Sequence, residues 1–114
     1  MALPHLVKYV YNSGTDEVIR RGKKIHTLGY VELLDNDELM NAVTFRIRDD
    51  SYTTFYKVHI QKYNDANNII LRCSCPYNLS DICRHEAAAL FQLQDLVDKN
   101  LLGSVNAVYN QKHT

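Results

Sequence analysis

Residues 73 to 85 read CSCPYNLSDICRH, and all three cysteines of the 114-residue chain fall inside this stretch. Cys73 and Cys75 flank one serine, Cys83 and His85 flank one arginine, and seven residues separate the two pairs. Three thiolates and one imidazole make a complete tetrahedral set for Zn2+, with no coordination position left for water. Two other readings use the same residues. Cysteines are common in cores, so three buried free thiols beside an unrelated histidine would need no metal. A catalytic cysteine needs a thiol not claimed by metal, and a closed four-ligand site provides neither that nucleophile nor an activated water. The clustering in an otherwise cysteine-free chain favours zinc, and the expectation is a chain that is not itself an enzyme.

The spacing says which elements must hold these side chains. Side chains at i and i+2 point to the same side of a strand, so Cys73 and Cys75 fit the end of one. Pro76 then turns the chain out of the sheet, because it cannot donate to a ladder. In a helix, residues i and i+2 point about 200° apart. Cys83 and His85 therefore fit only where a helix begins, with Cys83 near the cap and the positive helix end favouring its thiolate.

The flanking sequence supplies both elements. Ile69 and Leu71 lead into Cys73, and a helix from about Cys83 to Asp98 carries Ala87, Leu90, Phe91, Leu93, Leu96 and Val97, with Ser80 or Asp81 as its expected cap. Upstream, Val43, Phe45 and Ile47 alternate with Thr44, Arg46 and Arg48, and Tyr56, Val58 and Ile60 alternate with Lys57, His59 and Gln61. Residues 29–34 form a further short strand. Turns are expected at Asp35-Asn36-Asp37-Glu38, Asp49-Asp50-Ser51 and Asn64-Asp65-Ala66-Asn67, and the acids among them read as turn residues. Leu3, Leu6, Val7 and Val10 mark a helical stripe, with a short strand as the competing reading. A helix after Ser13 or Thr15 carries Val18, Ile19, Gly22, Ile25 and Leu28 on one face and Arg20, Arg21, Lys23 and Lys24 on the other. Leu101, Leu102, Val105, Val108 and Tyr109 fit a last short helix. The fold class is thus α+β: an antiparallel meander of three or four strands, flanking helices, and a zinc knuckle between the last strand and a long helix. One domain is expected over 1–114, its core about 15–98, with extensions 1–14 and 99–114.

The ligand pattern Cys73-x-Cys75-x(7)-Cys83-x-His85 resembles the SWIM zinc finger, whose signature is CxC followed by CxH. Pro76, the apolar strand before Cys73 and the Ala-rich helix after His85 are usual there. The upstream RRGKKIHTLGYVELL resembles the lead-in of bacterial SWIM proteins. The resemblance implies binding of DNA or of a protein partner. It also implies a place as the N-terminal part of a Swi/Snf-type helicase, or an accessory to one. No Walker A or other helicase motif occurs in the chain itself.

If the strands pair with even-length turns, Arg46, Arg48, Lys57, His59 and Arg72 share one face with Phe55, without an acid among them. That mixture suits contact with a nucleic-acid backbone or single strand, and it also suits the solvated face of any one-sided sheet. Arg84, between two ligands, is expected to point away from the metal as a further phosphate or acidic-partner contact. RRGKK reads as a solvated helix face. The net charge is zero, which weighs against a dedicated nucleic-acid domain. No apolar run is long enough to span a membrane, the N-terminus lacks the pattern of a secretory signal, and an odd number of cysteines argues against a disulfide framework. A cytoplasmic, reducing setting is the expectation.

Overall fold

The computed structural model describes residues 5–37, 39–51, 53–76 and 82–99. The expected cap residues Ser80 and Asp81, and the expected last helix from Leu101, lie outside the described residues.

Helix α1 spans His5–Ser13, so the helical stripe, not the competing strand, describes this segment, with Leu6 and Val10 fully buried. Helix α2 spans Asp16–Thr27, and Thr15 Oγ1 accepts from the Val18 N–H at 3.2 Å to cap it. Asp16 and Glu17 sit in its first turn, where the helix dipole favours negative charge. Gly29, at φ 74°, ends the helix: its N–H bonds the His26 carbonyl, and the Tyr30 N–H reaches back to Ile25 O at 3.2 Å. This closing pattern needs a left-handed residue, which glycine adopts without a Cβ penalty. Leu28, expected on the apolar face of α2, is instead half exposed at the cap.

Four antiparallel strands follow in sequence order: β1 (Val31–Asp37), β2 (Ala42–Arg48), β3 (Phe55–Gln61) and β4 (Ile70–Cys73). Val43, Phe45, Ile47, Val58 and Ile60 are buried on one face, while Arg46, Phe55, Lys57 and Arg72 are exposed on the other. The turn expected at 35–38 is replaced by strand over its described residues, Glu38 lying outside them. Asp35, Asn36 and Asp37 belong to β1, and the chain reverses around residues 39–41. The register explains the misreading. Leu33 pairs Phe45, but Asp35 pairs Thr44, so Leu34 is an extra, exposed residue in a bulge. Beyond the bulge Asp35 faces solvent and Asn36 faces the core, inverting the alternation that the residues before it set up.

Helix α3 spans Arg84–Asp98 and packs against the sheet and against both other helices. Burial on more than one side explains its composition. Ala87, Ala88, Ala89 and Leu90 are consecutive and all fully buried, which a one-sided amphipathic helix would not allow. Gly22 lets α2 come in closely, since a Cβ there would lie 2.6 Å from the Ala87 Cβ. The α+β architecture expected from the alternation and the helical stripes is the one observed. Among the described residues no helix is long and apolar enough to cross a membrane.

Candidate metal centre

Backbone geometry brings the four candidate ligands together. β4 pairs with β3 as far as Cys73, opposite Val58. Ser74 continues the contact: its N–H bonds Lys57 O at 3.1 Å, and its hydroxyl accepts from the Lys57 N–H at 3.0 Å. With Ser74 tied to β3, Cys73 and Cys75 turn to the same side, as the i, i+2 spacing requires in extended chain. On the other half of the site, Cys83 is itself the helix cap. Its φ and ψ of −95° and 170° are extended, its sulfur accepts from the Glu86 N–H at 3.4 Å, and Glu86 Oε1 accepts from the Cys83 N–H at 2.9 Å. This is a capping box with a thiol in the place usually held by serine or threonine. The cap expected from Ser80 or Asp81 is therefore provided by a metal-ligand candidate.

His85, in the first turn of α3, is fully buried. Its Nδ1 lies 3.8 Å from the Cys73 sulfur and 3.9 Å from the Cys83 sulfur, and the four ligand atoms of Cys73, Cys75, Cys83 and His85 all lie within 4.8 Å of one another. Tetrahedral zinc, with Zn–S near 2.3 Å and Zn–N near 2.0 Å, needs N···S separations of about 3.6 Å. The two N···S distances from His85 are a few tenths of an ångström wider, and the four atoms together lie within 4.8 Å, so a metal ion would have to draw the ligands inward, by up to about 1 Å for the widest pair. The donor set fits a metal on chemistry too. The hydrogen bond with Cys73 and burial push the Cys83 thiol far above its ordinary range. Closely packed buried thiols resist ionising unless a cation is present to hold them as thiolates.

The orientation of His85 is set by a residue 36 positions away. Nε2 donates to Asp49 Oδ1 at 2.7 Å, because an ionised carboxylate only accepts, and in the neutral imidazole this leaves the Nδ1 lone pair facing the sulfurs. The Tyr56 ring packs against the imidazole at 4.7 Å between centroids. The Asp49 side chain is completely buried. Burial alone would raise its carboxyl pKa, but hydrogen bonds from the Ser51 N–H, His85 and Arg84 outweigh burial and hold it at about 2. Arg84 reaches Asp49 Oδ1 at 2.6 Å and Asp50 Oδ1 at 3.2 Å. Asp50 in turn takes a two-pronged contact from Arg21, at 2.9 Å from Nε and 2.7 Å from a terminal nitrogen. Two cations and two carboxylates thus alternate from α2 through the β2–β3 turn to the start of α3, ending on the imidazole that faces the cysteine sulfurs.

This network corrects three sequence expectations. Arg84 is 8 % exposed and its guanidinium is held by two acids, so it is a buried structural cation and not a surface contact. Asp49 and Asp50 do occupy the β2–β3 turn, but they also orient a ligand and neutralise Arg84. Arg21 leaves the solvated face of α2 for Asp50, while Arg20, Lys23 and Lys24 remain exposed. An adjacent pair of acids in a hairpin turn looks ordinary in sequence. The available signal was Arg84 itself, since an arginine wedged between two buried ligands needs a buried anion.

The other candidate residues do share a face. Arg46 pairs Lys57, Arg48 pairs Phe55 and Thr44 pairs His59 across β2 and β3, and His59 pairs Arg72 across β3 and β4. An acid does reach them: Glu32 of β1 lies opposite Arg46 and bonds it at 2.6 Å. Arg46 also stacks 5.0 Å from the centroid of Phe55, Arg48 lies 4.8 Å from that of Tyr30, and His59 Nδ1 is 2.7 Å from the Thr44 hydroxyl. Comparison with protein-family models, with curated proteins and with solved structures yielded no match for this chain.

Proposed function

We propose that the chain is a non-catalytic, zinc-structured recognition module of the SWIM type whose ligand is nucleic acid. The observation that carries the metal half is the convergence of three sulfurs and one imidazole nitrogen within 4.8 Å, with the far nitrogen of the imidazole already held by Asp49. A second-sphere carboxylate on the ligating histidine is the usual arrangement around protein-bound zinc. With four protein ligands no position remains for a reacting water, so zinc here joins β4 to α3 and holds the sheet and helix at a fixed angle. The CxC…CxH pattern supports the SWIM assignment, and through it a working association with a Swi/Snf-type ATPase. Thiolate ligation suits a reducing, cytoplasmic setting.

The nucleic-acid half is supported by the basic residues that β2, β3 and β4 turn outward. Purified protein should carry one zinc per chain by elemental analysis, and chelation should abolish its cooperative melting. Absence of stoichiometric metal together with unchanged melting would refute the zinc reading. Binding to any oligonucleotide should weaken steeply as salt rises, and absence of binding at low salt would refute the nucleic-acid half. A protein partner is the second reading, favoured by the exposure of Leu39 at 94 % and Met40 at 64 % at the β1–β2 turn.

A further inference from the structure

The register of the sheet arranges its outward cations in a line. Arg48 on β2, Lys57 on β3 and Arg72 on β4 each sit one strand over and one outward-facing position along from the last, because Arg48 pairs Phe55, Arg46 pairs Lys57, and His59 pairs Arg72. Diagonal neighbours on one face stand about 7–8 Å apart, so the three cations cross the sheet as an evenly stepped stripe. Phe55, directly opposite Arg48 and 55 % exposed, stands at the head of the stripe. Along the outward face of β2, β3 and β4 no acid occurs, whereas β1 places Glu32 and Asp35 opposite Arg46 and Thr44. The face is therefore polarised, with a positive track bordered on one side by a negative edge.

We infer that this diagonal is the binding track for single-stranded nucleic acid, with phosphates along Arg48, Lys57 and Arg72 and an unpaired base stacked on Phe55. The inference rests on the nucleic-acid reading above and narrows it. A row of cations alone would attract any polyanion, duplex included. The exposed ring discriminates, because duplex bases are already stacked on one another while a single strand can lay a base on an aromatic face. The acidic β1 edge keeps the strand off that side and, through Glu32, competes for Arg46. The knuckle enters mechanically: Arg72 immediately precedes Cys73, so the zinc that anchors the end of β4 also anchors the end of the track.

The test is fluorescence anisotropy on the zinc-loaded full chain at about 50 mM salt, with labelled 15-mers of oligo-dT and oligo-U and a 15-base-pair DNA duplex as probes. At least one single-stranded probe should bind more tightly than the duplex. Phe55→Ala should weaken single-strand binding roughly five- to 150-fold, the range for loss of one stacked base, and leave duplex binding nearly unchanged. Lys57→Ala and Arg72→Ala should each flatten the salt dependence on single strands by about 0.7 in log–log slope. Glu32→Gln should raise affinity, by up to about fivefold, as Arg46 is released from an exposed pair. Zinc content and circular dichroism would establish that each variant is folded, and all four positions are exposed. Duplex binding equal to or tighter than single-strand binding overturns the inference and leaves nucleic-acid recognition standing. So does a Phe55→Ala variant with unaltered affinity for single strands. Failure of all three probes to bind overturns both, and points to the protein-partner reading.

Discussion

Gly22→Ala should destabilise the protein, although in an isolated helix the same change is favourable. Alanine exceeds glycine in helix propensity by about 1 kcal/mol, so propensity alone predicts a gain. Packing predicts the reverse. The new methyl would stand 2.6 Å from the Ala87 Cβ, 3.2 Å from the Ala88 nitrogen and 3.3 Å from the Arg84 carbonyl oxygen. Carbon–carbon contacts are optimal at about 3.5–4.0 Å, so α2 and α3 must separate by about 1 Å. A Cβ and backbone atoms cannot escape by changing rotamer, which places the overpacking cost near the upper end of its usual range, about 3 kcal/mol. The net loss is then about 2 kcal/mol. With a urea m-value of about 2 kcal/mol/M, the unfolding midpoint of the zinc-loaded protein should fall by about 1 M. The companion substitution Ala87→Gly removes the opposing methyl. In the double variant it should recover part of the loss, as a favourable coupling between two contacting sites. A Gly22→Ala protein as stable as the parent, or more so, would refute the close approach of α2 to α3. An additive double variant would refute Ala87 as the cause.

Four further outcomes follow from the metal centre. Asp49→Asn should weaken zinc affinity about 10- to 100-fold in a chelator competition, because His85 loses the carboxylate that orients it and raises its basicity. Arg84→Met should lower unfolding free energy by about 3–5 kcal/mol in denaturant titrations, since Asp49 and Asp50 would stay buried with a cation removed. Zinc affinity should rise with pH: the Cys83 thiol is raised far above its ordinary value and keeps its proton through neutrality, so metal must displace it. Each proton displaced makes the dissociation constant fall about tenfold per pH unit between pH 6 and 8, and a flat profile would contradict thiol ligation by Cys83. Cys75→Ser should yield protein without stoichiometric zinc and without a cooperative melting transition, as judged by elemental analysis and calorimetry.

Much of the site was legible from local rules. The i, i+2 spacing of both pairs required one to leave a strand and the other to begin a helix, and β4 does end at Cys73 while Cys83 caps α3. The alternation groups Arg46 with Arg48 on one side of β2 and Phe55 with Lys57 on one side of β3, and an even-length turn, which the observed register bears out, puts the two groups on one face. The misreadings also have local causes. Asp35, Asn36 and Asp37 are strong turn formers, and the strand retains them because a bulge at Leu34 turns Asp35 out and leaves Asn36 in the core. Ser80 and Asp81 are better helix caps by residue type than cysteine, yet Cys83 makes both hydrogen bonds of the capping box.

The sequence by itself determined the donor set, the element on which each donor sits and the outward face of the central strands. These depend on residue type and on periods of 2 and 3.6, which act over a few positions. Only the tertiary structure decided what Arg84 and Asp49 are for. Their contact spans 35 positions, and whether an arginine ends in solvent or against a buried carboxylate depends on which surfaces the fold brings over it. A buried imidazole and guanidinium each need a counterpart, and packing of the β2–β3 turn against the start of α3 provides one carboxylate to both.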